Sequence, residues 1–291
     1  MSFIASLFGY LLEFIYNLVN NYGLAIILFS IVLKLVLLPI SIKQQKTMQK
    51  SAKIQTKMKE IQTKYKNNPE KMNQEIMSLY KNEKMSPFSG CLSSIIQVIL
   101  LFAVFYLVRS PLTFMKKVDP QVIENYTNEI KQEQQVNTAY PEISVIQYKG
   151  QKDQRVNINM DFLGIDLSKV PTQSLNDPRV YIIPVLYVIS SFVSIRLTTN
   201  LQKGKTKEKT NEIEVIDGEP KQLEKQTDEL AAMEQANKSM SLFMPVMSIM
   251  IAVVAPLGLA LYWLVNNLLM IAERLILNKV LKSKEAEEDD K

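Results

Sequence analysis

Histidine is absent from this chain of 291 residues, and cysteine occurs once, at Cys91. Without histidine, Ser-His-Asp and Cys-His triads, histidine metal ligands and histidine proton relays are excluded. A single cysteine excludes an internal disulfide and a cysteine-rich metal cluster. The chain also has no G-x-S-x-G motif. The sequence therefore predicts no metal and no cofactor, and we expect a protein that is not an enzyme.

Charge is scarce in several long apolar blocks, which alternate with very polar stretches. Hydrophobic residues make up 47% of the chain as a whole. Blocks of this length are typical of helices that cross a membrane. We predict an all-α polytopic membrane protein with five spans, at residues 22–41, 89–109, 180–197, 239–255 and 257–277. The last two form one apolar run, which the Pro-containing sequence at 255–258 divides into two helices.

The first 33 residues contain neither lysine nor arginine. Because a secretory signal begins with a basic segment and an organelle transit peptide is rich in arginine, we expect this apolar segment to be retained. Residues 3–19 are long enough to cross a bilayer or to lie along its surface. We favour an external interfacial amphipathic helix over residues 1–21, because a span here would need a tight hairpin at Asn20 and Asn21.

Lysine is concentrated between the first two spans, where residues 42–88 hold eleven lysines and four glutamates. The positive-inside rule places this segment in the cytoplasm, with the N-terminus outside and the C-terminus inside. Apolar residues recur at helical spacing on both sides of Asn68-Pro69-Glu70, which supplies an N-cap, a first-turn proline and an acid. We predict a cytoplasmic helical hairpin. The apolar faces of its two helices either pack against each other or present adaptable methionine side chains to a transient partner. These methionines are Met48, Met58, Met72 and Met77.

Three further segments lie outside the predicted spans. Residues 110–179 form a polar external loop, to which the sequence assigns neither a fold nor a role; its one apolar cluster is at 162–167. Residues 198–238 form a charged cytoplasmic loop. Residues 278–291 form a cytoplasmic tail of mixed charge.

Lys34 lies inside the first predicted span. A charge at the middle of a membrane helix costs roughly 2.5–3.5 kcal/mol, so it usually has a partner or faces a water-filled cavity. On other predicted spans, polar residues also share one helical face. These polar faces avoid contact with lipid if the helices turn them towards a common interior. We predict a hydrophilic groove that holds the charge of Lys34 and is lined by Ser30, Ser93, Ser94, Gln97, Ser190, Ser191, Ser194, Asn266 and Asn267.

Two plainer interpretations compete with this groove. Lys34 is roughly 9 Å of helix from the cytoplasmic end of its span, and a lysine side chain can extend along such a distance to the surface. The Cα–Cβ bonds of a helix tilt towards its N-terminus, however, which is the wrong direction for that escape. Serines at helical spacing often serve only in helix packing or bond to the backbone.

Three motifs occur together in the chain: a basic residue in span one before a lysine-rich hairpin, P-x-x-G-C at Pro87–Cys91, and Leu-Tyr-Trp at Leu261–Trp263. This combination closely resembles the YidC/Oxa/Alb membrane insertases, in particular the five-span form of Gram-positive bacteria. The resemblance covers the five spans and the cytoplasmic hairpin. It implies a chaperone that moves hydrophobic segments of new proteins from the cytoplasm into the bilayer through a positively charged groove.

The resemblance also assigns roles and partners. It places the positive charge of the groove on Lys34, where the family usually has arginine. It also assigns to spans three and five the apolar surface along which a client helix moves, with Tyr262 and Trp263 as its aromatic residues. The implied partners are nascent membrane-protein clients and the lipid bilayer, together with the ribosome and the Sec translocon, for a functional monomer in the bacterial plasma membrane. The hairpin would contact clients first.

A small-anion transporter or channel that uses Lys34 is the competing hypothesis.

Overall fold

The structure is a computed structural model that describes residues 2–83, 89–134, 139–203, 250 and 252–289. Its fold is mainly helical. The helices of known extent are α1 (Ser2–Val19), α2 (Tyr22–Lys64), α3 (Pro69–Asn82), α4 (Ser89–Arg109), α5 (Pro111–Phe114), α6 (Pro120–Gln134), α7 (Pro141–Lys149), α8 (Ile182–Lys203) and α9 (Leu257–Asp289). Two short antiparallel strands, β1 (Asp161–Phe162) and β2 (Ile165–Asp166), and 3-10 turns at Pro171–Gln173 and Pro178–Tyr181 connect α7 to α8.

Three helical stretches are long and apolar enough to cross a membrane: Tyr22–Thr47, Pro178–Leu197 and Leu257–Val280. They contain the whole of the first, third and fifth predicted spans, and the chain is a helical membrane protein. Each stretch exposes large apolar side chains, such as Leu35 on α2 and Phe192 on α8. Such surfaces suit lipid better than water.

The total of five spans stays a prediction. Most of the fourth predicted span, and of the cytoplasmic loop before it, lies outside the described residues. The second predicted span corresponds in position to α4, and an apolar stretch at Ile99–Arg109 is described there.

The chain divides into two compact units. The first contains Met1–Leu38, Gln97–Phe192 and Met247–Lys291, and the second contains Pro39–Ile96 and Val193–Val246. The division falls inside α2, which continues without a break through Pro39 to Lys64. Proline removes one backbone hydrogen bond from a helix interior, yet the first predicted span and the first hairpin helix are one continuous helix.

In the second unit, α3 begins as the sequence predicts. Asn68 is the N-cap, and its side chain accepts a hydrogen bond from the Lys71 amide at 3.0 Å; Pro69 is the first helical residue. Lys57 on α2 pairs with Glu83 directly after α3. This contact brings the end of α3 back alongside α2.

The first unit includes residues 110–179, the predicted external loop, which are folded where the structure describes them. Helices α6 and α7 pack together, and Ile130, Ile143 and Val145 are buried in the hydrophobic core. Buried Lys149 on α7 donates to Glu129 on α6 at 2.6 Å. This hydrogen bond raises the pKa of Lys149 and lowers that of Glu129, so the pair stabilises the α6–α7 contact.

The apolar cluster at 162–167 forms the β1–β2 hairpin. Phe162 pairs with Ile165, and the two residues between them, Leu163 and Gly164, have φ values of 54° and 77°. Two successive positive φ values are typical of a type I′ turn, whose twist matches that of the strands. The Phe162 side chain packs so closely on Gly23 of α2 that no Cβ fits there without a shift.

Candidate functional site

The loop segment 159–169 caps the N-termini of both α2 and α9. The first amides of a helix have no partner inside it, and here carbonyl oxygens of the loop accept from them at 2.9 Å: Tyr22 donates to Asn159, Leu257 to Lys169 and Gly258 to Leu167. The two helices therefore start at the same segment.

Lys34 of α2 and Glu273 of α9 form an ion pair farther along these helices, with 2.6 Å between Nζ and Oε2. From Tyr22 to Lys34 a helix rises roughly 18 Å, and from Leu257 to Glu273 roughly 24 Å. The pair thus lies well inside the candidate spans and away from the capping loop. The Lys34 side chain is 24% exposed and that of Glu273 is 12% exposed, so the lysine is the more accessible partner.

The hydrogen bonding of this pair is incomplete. Glu273 Oε1 is buried and has no hydrogen-bond partner in the described part of the chain. Within those same ranges, Glu273 is the one polar partner of Lys34. A lysine ammonium carries three donors and a carboxylate accepts through both oxygens, so each partner keeps hydrogen-bonding capacity that the pair does not use.

Glu273 is the residue of this candidate site that the sequence does not single out, because Lys34 is predicted there without a named partner. A signal was available. Glu273 is the only acidic residue within the five predicted spans, and ionisable residues inside membranes usually pair with one another. An acid and a base in two predicted spans were therefore candidates for a contact, although their depths alone do not bring them together.

One face of α9 leads to the ion pair. Trp263, Asn266, Met270 and Glu273 recur at steps of three, four and three, so they share a helical face, and all four are half-buried. The Trp263 ring lies against Tyr187 of α8, with 6.2 Å between ring centroids. We name Trp263, Asn266, Met270 and Glu273 the α9 face.

Several predicted groove residues instead bond within and between helices. Asn267 of α9 donates to the hydroxyls of Ser190 and Ser191 on α8, at 3.0 and 3.2 Å. Ser30 is buried and donates to the Ile26 carbonyl at 2.7 Å. These contacts agree with the helix-packing interpretation of the serines, and they tie α8 to α9 beside the α9 face.

The remaining predicted residues have varied surroundings. Ser194 and Tyr262 are buried, and Trp263 is half-buried. On the hairpin, Met58 and Met72 are half-buried and Met77 is exposed. The side chains of Met48, Ser93, Ser94 and Gln97 lie outside the described part of the structure.

Metal chemistry has no evident site in the ranges that the structure describes, because they contain no group of three or more histidine, cysteine, aspartate or glutamate side chains that could hold an ion. The chemistry available at Lys34 is ionic. A partly accessible ammonium inside a candidate span can attract and bind an anionic group.

Apolar helices of membrane-spanning length, with an ion pair between two of them, are typical of a helical membrane protein with a charged site in its candidate spans. The chain belongs to the family described as 60Kd inner membrane protein, the YidC/Oxa1 family, whose model matches residues 14–285. This match includes α2, α9 and both members of the ion pair.

Individual relatives agree with this family. Three curated proteins, each named "Membrane protein insertase YidC", are similar to the chain. The protein of Syntrophobacter fumaroxidans is 28% identical over 280 residues, which cover 96% of this chain and 38% of that protein. The protein of Caldanaerobacter subterraneus is 42% identical over 110 residues, 38% of this chain and 53% of that protein.

The third relative, from Treponema denticola, is 26% identical over 273 residues, 94% of this chain and 37% of that protein. The chain thus spans between 37% and 53% of the length of these three relatives. The activity of the relatives as whole proteins therefore enters only as a proposal for this chain.

Proposed function

We propose that this protein is a membrane protein insertase and chaperone, which moves hydrophobic segments of newly made proteins from the cytoplasm into the lipid bilayer. The observation that carries the proposal is Lys34, a partly accessible cation inside a candidate span, beside the α9 face. Membership of a family whose similar members are named insertases supports the same activity.

In the proposed topology the N-terminus and the loop 110–179 are outside, and the C-terminus, the hairpin 42–88 and the loop 198–238 are cytoplasmic. Five spans cross a bacterial plasma membrane. This orientation also fixes the depth of the ion pair. If the capping loop is external, the pair lies roughly two-thirds of the way across a hydrocarbon layer of about 30 Å, which is nearer the cytoplasm.

Helix α1 is proposed to lie in the external interface. Its packing supports this position, because Gly9 lies against the backbone of Phe114 in α5 and the Tyr16 hydroxyl accepts from the Asn159 amide at 2.8 Å. The opposite side of α1 exposes a row of large apolar side chains, which suits the surface of a bilayer: Phe3, Leu7, Tyr10, Phe14 and Leu18.

The proposed mechanism begins with a client whose short acidic N-terminal tail precedes an apolar helix. The ammonium of Lys34 attracts the carboxylates of the tail; at an effective dielectric near 20, two charges 4 Å apart attract by about 4 kcal/mol. The apolar helix then contacts α8 and the α9 face, including Trp263, and moves into lipid. The cytoplasmic hairpin, with exposed Met77, is the proposed first contact for clients, the ribosome or the Sec translocon, and one monomer suffices.

The test is insertion into liposomes that contain the purified protein. A single-span client with two acidic residues in its short tail is added, and protection of the tail from external protease is measured. Wild type should protect it, Lys34→Arg should retain most of the activity, and Lys34→Ala should lose most of it. Equal insertion by wild type and Lys34→Ala would refute the role of the charge.

The same liposomes test the transporter alternative. Loaded with chloride, phosphate or a small carboxylate, they report solute flux in the absence of any client. We expect no flux above that of empty liposomes. Flux that Lys34→Ala removes, without client insertion, would establish the transporter and reject the insertase.

A further inference from the structure

We infer that Glu273 is an internal counter-ion that competes with the client's carboxylate for Lys34 and thereby sets how much negative charge a client needs. This inference rests on the proposed insertase function and deepens it. It concerns the client class, namely apolar segments preceded by an acidic tail, and it assigns a specificity role to a residue on α9.

The starting point is the net charge of the Lys34–Glu273 pair itself, beside which Arg274 also interacts electrostatically with Glu273. With Glu273 Oε2 at 2.6 Å from Lys34 Nζ, the two opposite charges largely cancel for an anion that approaches from a distance. An approaching carboxylate is therefore attracted less than it would be by a free ammonium. Binding of the client has to weaken or replace the existing ion pair.

The pair is suited to exchange because a single contact holds it. Elsewhere in the chain a buried acid uses both of its oxygens: Glu142 accepts from the Thr113 amide through Oε2 and from the Thr113 hydroxyl through Oε1. Glu273 uses only Oε2, while its Oε1 is buried without a hydrogen-bond partner among the described residues. An acid with a purely structural role would be expected to satisfy both oxygens.

Access to the pair is also one-sided. The lysine side chain is 24% exposed and the glutamate side chain 12% exposed, so the Lys34 side of the pair is the more accessible to an incoming group. A client carboxylate can bind the unused donors of Lys34 while Glu273 still holds the third. Two carboxylates on one ammonium repel each other, which shortens the stay of the client and returns Glu273 to Lys34.

Two consequences follow for variants. Glu273→Gln removes the competing charge and keeps the shape, so acidic clients should bind at lower concentration and leave more slowly. Lys34→Ala leaves Glu273 facing the client path as an uncompensated acid that repels an acidic tail. The double variant Lys34→Ala/Glu273→Gln should therefore insert acidic clients better than Lys34→Ala alone.

The experiment measures client cross-linking and insertion in liposomes, with tails that carry zero, one or two acidic residues. For the two-acid client, Glu273→Gln should reach half-maximal cross-linking at a roughly tenfold lower client concentration than wild type, because the competing charge is gone. With the neutral tail the two proteins should agree. Glu129→Gln is the matched control, since Glu129 is also 2.6 Å from a lysine nitrogen but lies in the external loop.

Two results would overturn the inference: identical curves for Glu273→Gln and wild type with every tail, or a double variant no better than Lys34→Ala. Insertion by wild type in the same assay would leave the proposed function standing, whereas no insertion by wild type would reject that function itself. If Glu273→Gln fails to fold in a thermal unfolding scan, the charge swap Lys34→Glu/Glu273→Lys replaces it. The swap keeps the pair but places the carboxylate at the more exposed position 34, so it should weaken the preference for acidic tails; an unchanged preference in a folded swap would contradict the counter-ion role.

Discussion

Removing only one member of the intramembrane ion pair should destabilise the protein more than removing both. Lys34 and Glu273 lie 2.6 Å apart with little exposure, and Glu273 Oε1 already lacks a partner in the described residues. In Lys34→Met the carboxylate stays buried without a cation. In Lys34→Met/Glu273→Leu, side chains of similar size fill the same space without charge.

The expected magnitudes follow from this geometry. Breaking a buried pair by removing one partner typically costs about 3–5 kcal/mol, whereas replacing both partners by apolar residues is often neutral or stabilising. Because Lys34 is 24% exposed, we expect Lys34→Met to lose about 3 kcal/mol of unfolding free energy. The double variant should lie within about 1 kcal/mol of wild type.

Reversible unfolding in mixed micelles, followed by the fluorescence of Trp263, measures these differences. Wild type, both single variants and the double variant form a complete cycle. The matched control is Lys57→Met, which removes a lysine from the exposed pair with Glu83 and should cost less than about 1 kcal/mol. Additive effects of Lys34→Met and Glu273→Leu would refute the claim that the two side chains are energetically coupled.

Three further predictions concern the external loop and helix packing. Burial raises the pKa of Glu142, and hydrogen bonds from Thr113 partly oppose this rise. The native state therefore holds the proton more tightly than the unfolded state. The stability that this provides is complete below the ordinary pKa near 4.5 and is lost as pH rises through the raised pKa. Glu142→Gln should flatten this fall in melting temperature as pH rises above about 4.5, and an unchanged profile would contradict the assignment. Gly9→Ala places a Cβ against the Phe114 carbonyl, so it should lower the unfolding free energy by about 1–3 kcal/mol and speed proteolysis of α1. The control Asn17→Ala, on the exposed side of α1, should do neither. Resistance to protease equal to that of wild type would argue against the α1–α5 contact. Asn267→Leu removes the donors to Ser190 and Ser191 and should lower stability by about 0.6–1.7 kcal/mol while insertion continues; lost insertion at unchanged stability would make Asn267 a groove residue instead.

Much of the membrane architecture is predictable from the sequence because it depends on local composition. The apolar runs around Lys34, Ser190 and Trp263 are long enough to cross a membrane, and the three candidate spans of the structure lie there. The N-cap at Asn68 is equally local, since a cap depends on residues within one turn. The family could also be recognised, because its motifs are specific combinations of residue types at fixed positions.

The external loop was not predictable in the same way. Its buried residues, such as Ile130 and Val145, stand singly or in short groups among polar ones, so no helical stripe is long enough to identify the core. Lys149 is read as a surface residue until Glu129 and Glu133 are placed beside it by the packing of α6 on α7. Both cases depend on tertiary contacts that composition does not encode.

The candidate site was predictable only in part. Lys34 is conspicuous because one charge in an apolar run is costly, but its pairing with Glu273 requires the relative depth of two helices far apart in sequence. The serines show the opposite limit. Their spacing allows both a groove and a packing role, and the hydrogen bonds of Ser30, Ser190 and Ser191 favour packing.

The central claim is that a client's apolar segment passes along the α9 face next to Lys34. A photo-reactive amino acid at position 270, on that face, and another at position 268, on the opposite side of α9, test it directly in liposomes with a stalled client that has an acidic tail. The account predicts strong cross-links from position 270, weak ones from position 268, and a large loss at position 270 when Lys34→Ala is introduced. Cross-links from position 268 alone, or a yield at position 270 that does not change in Lys34→Ala, would contradict it.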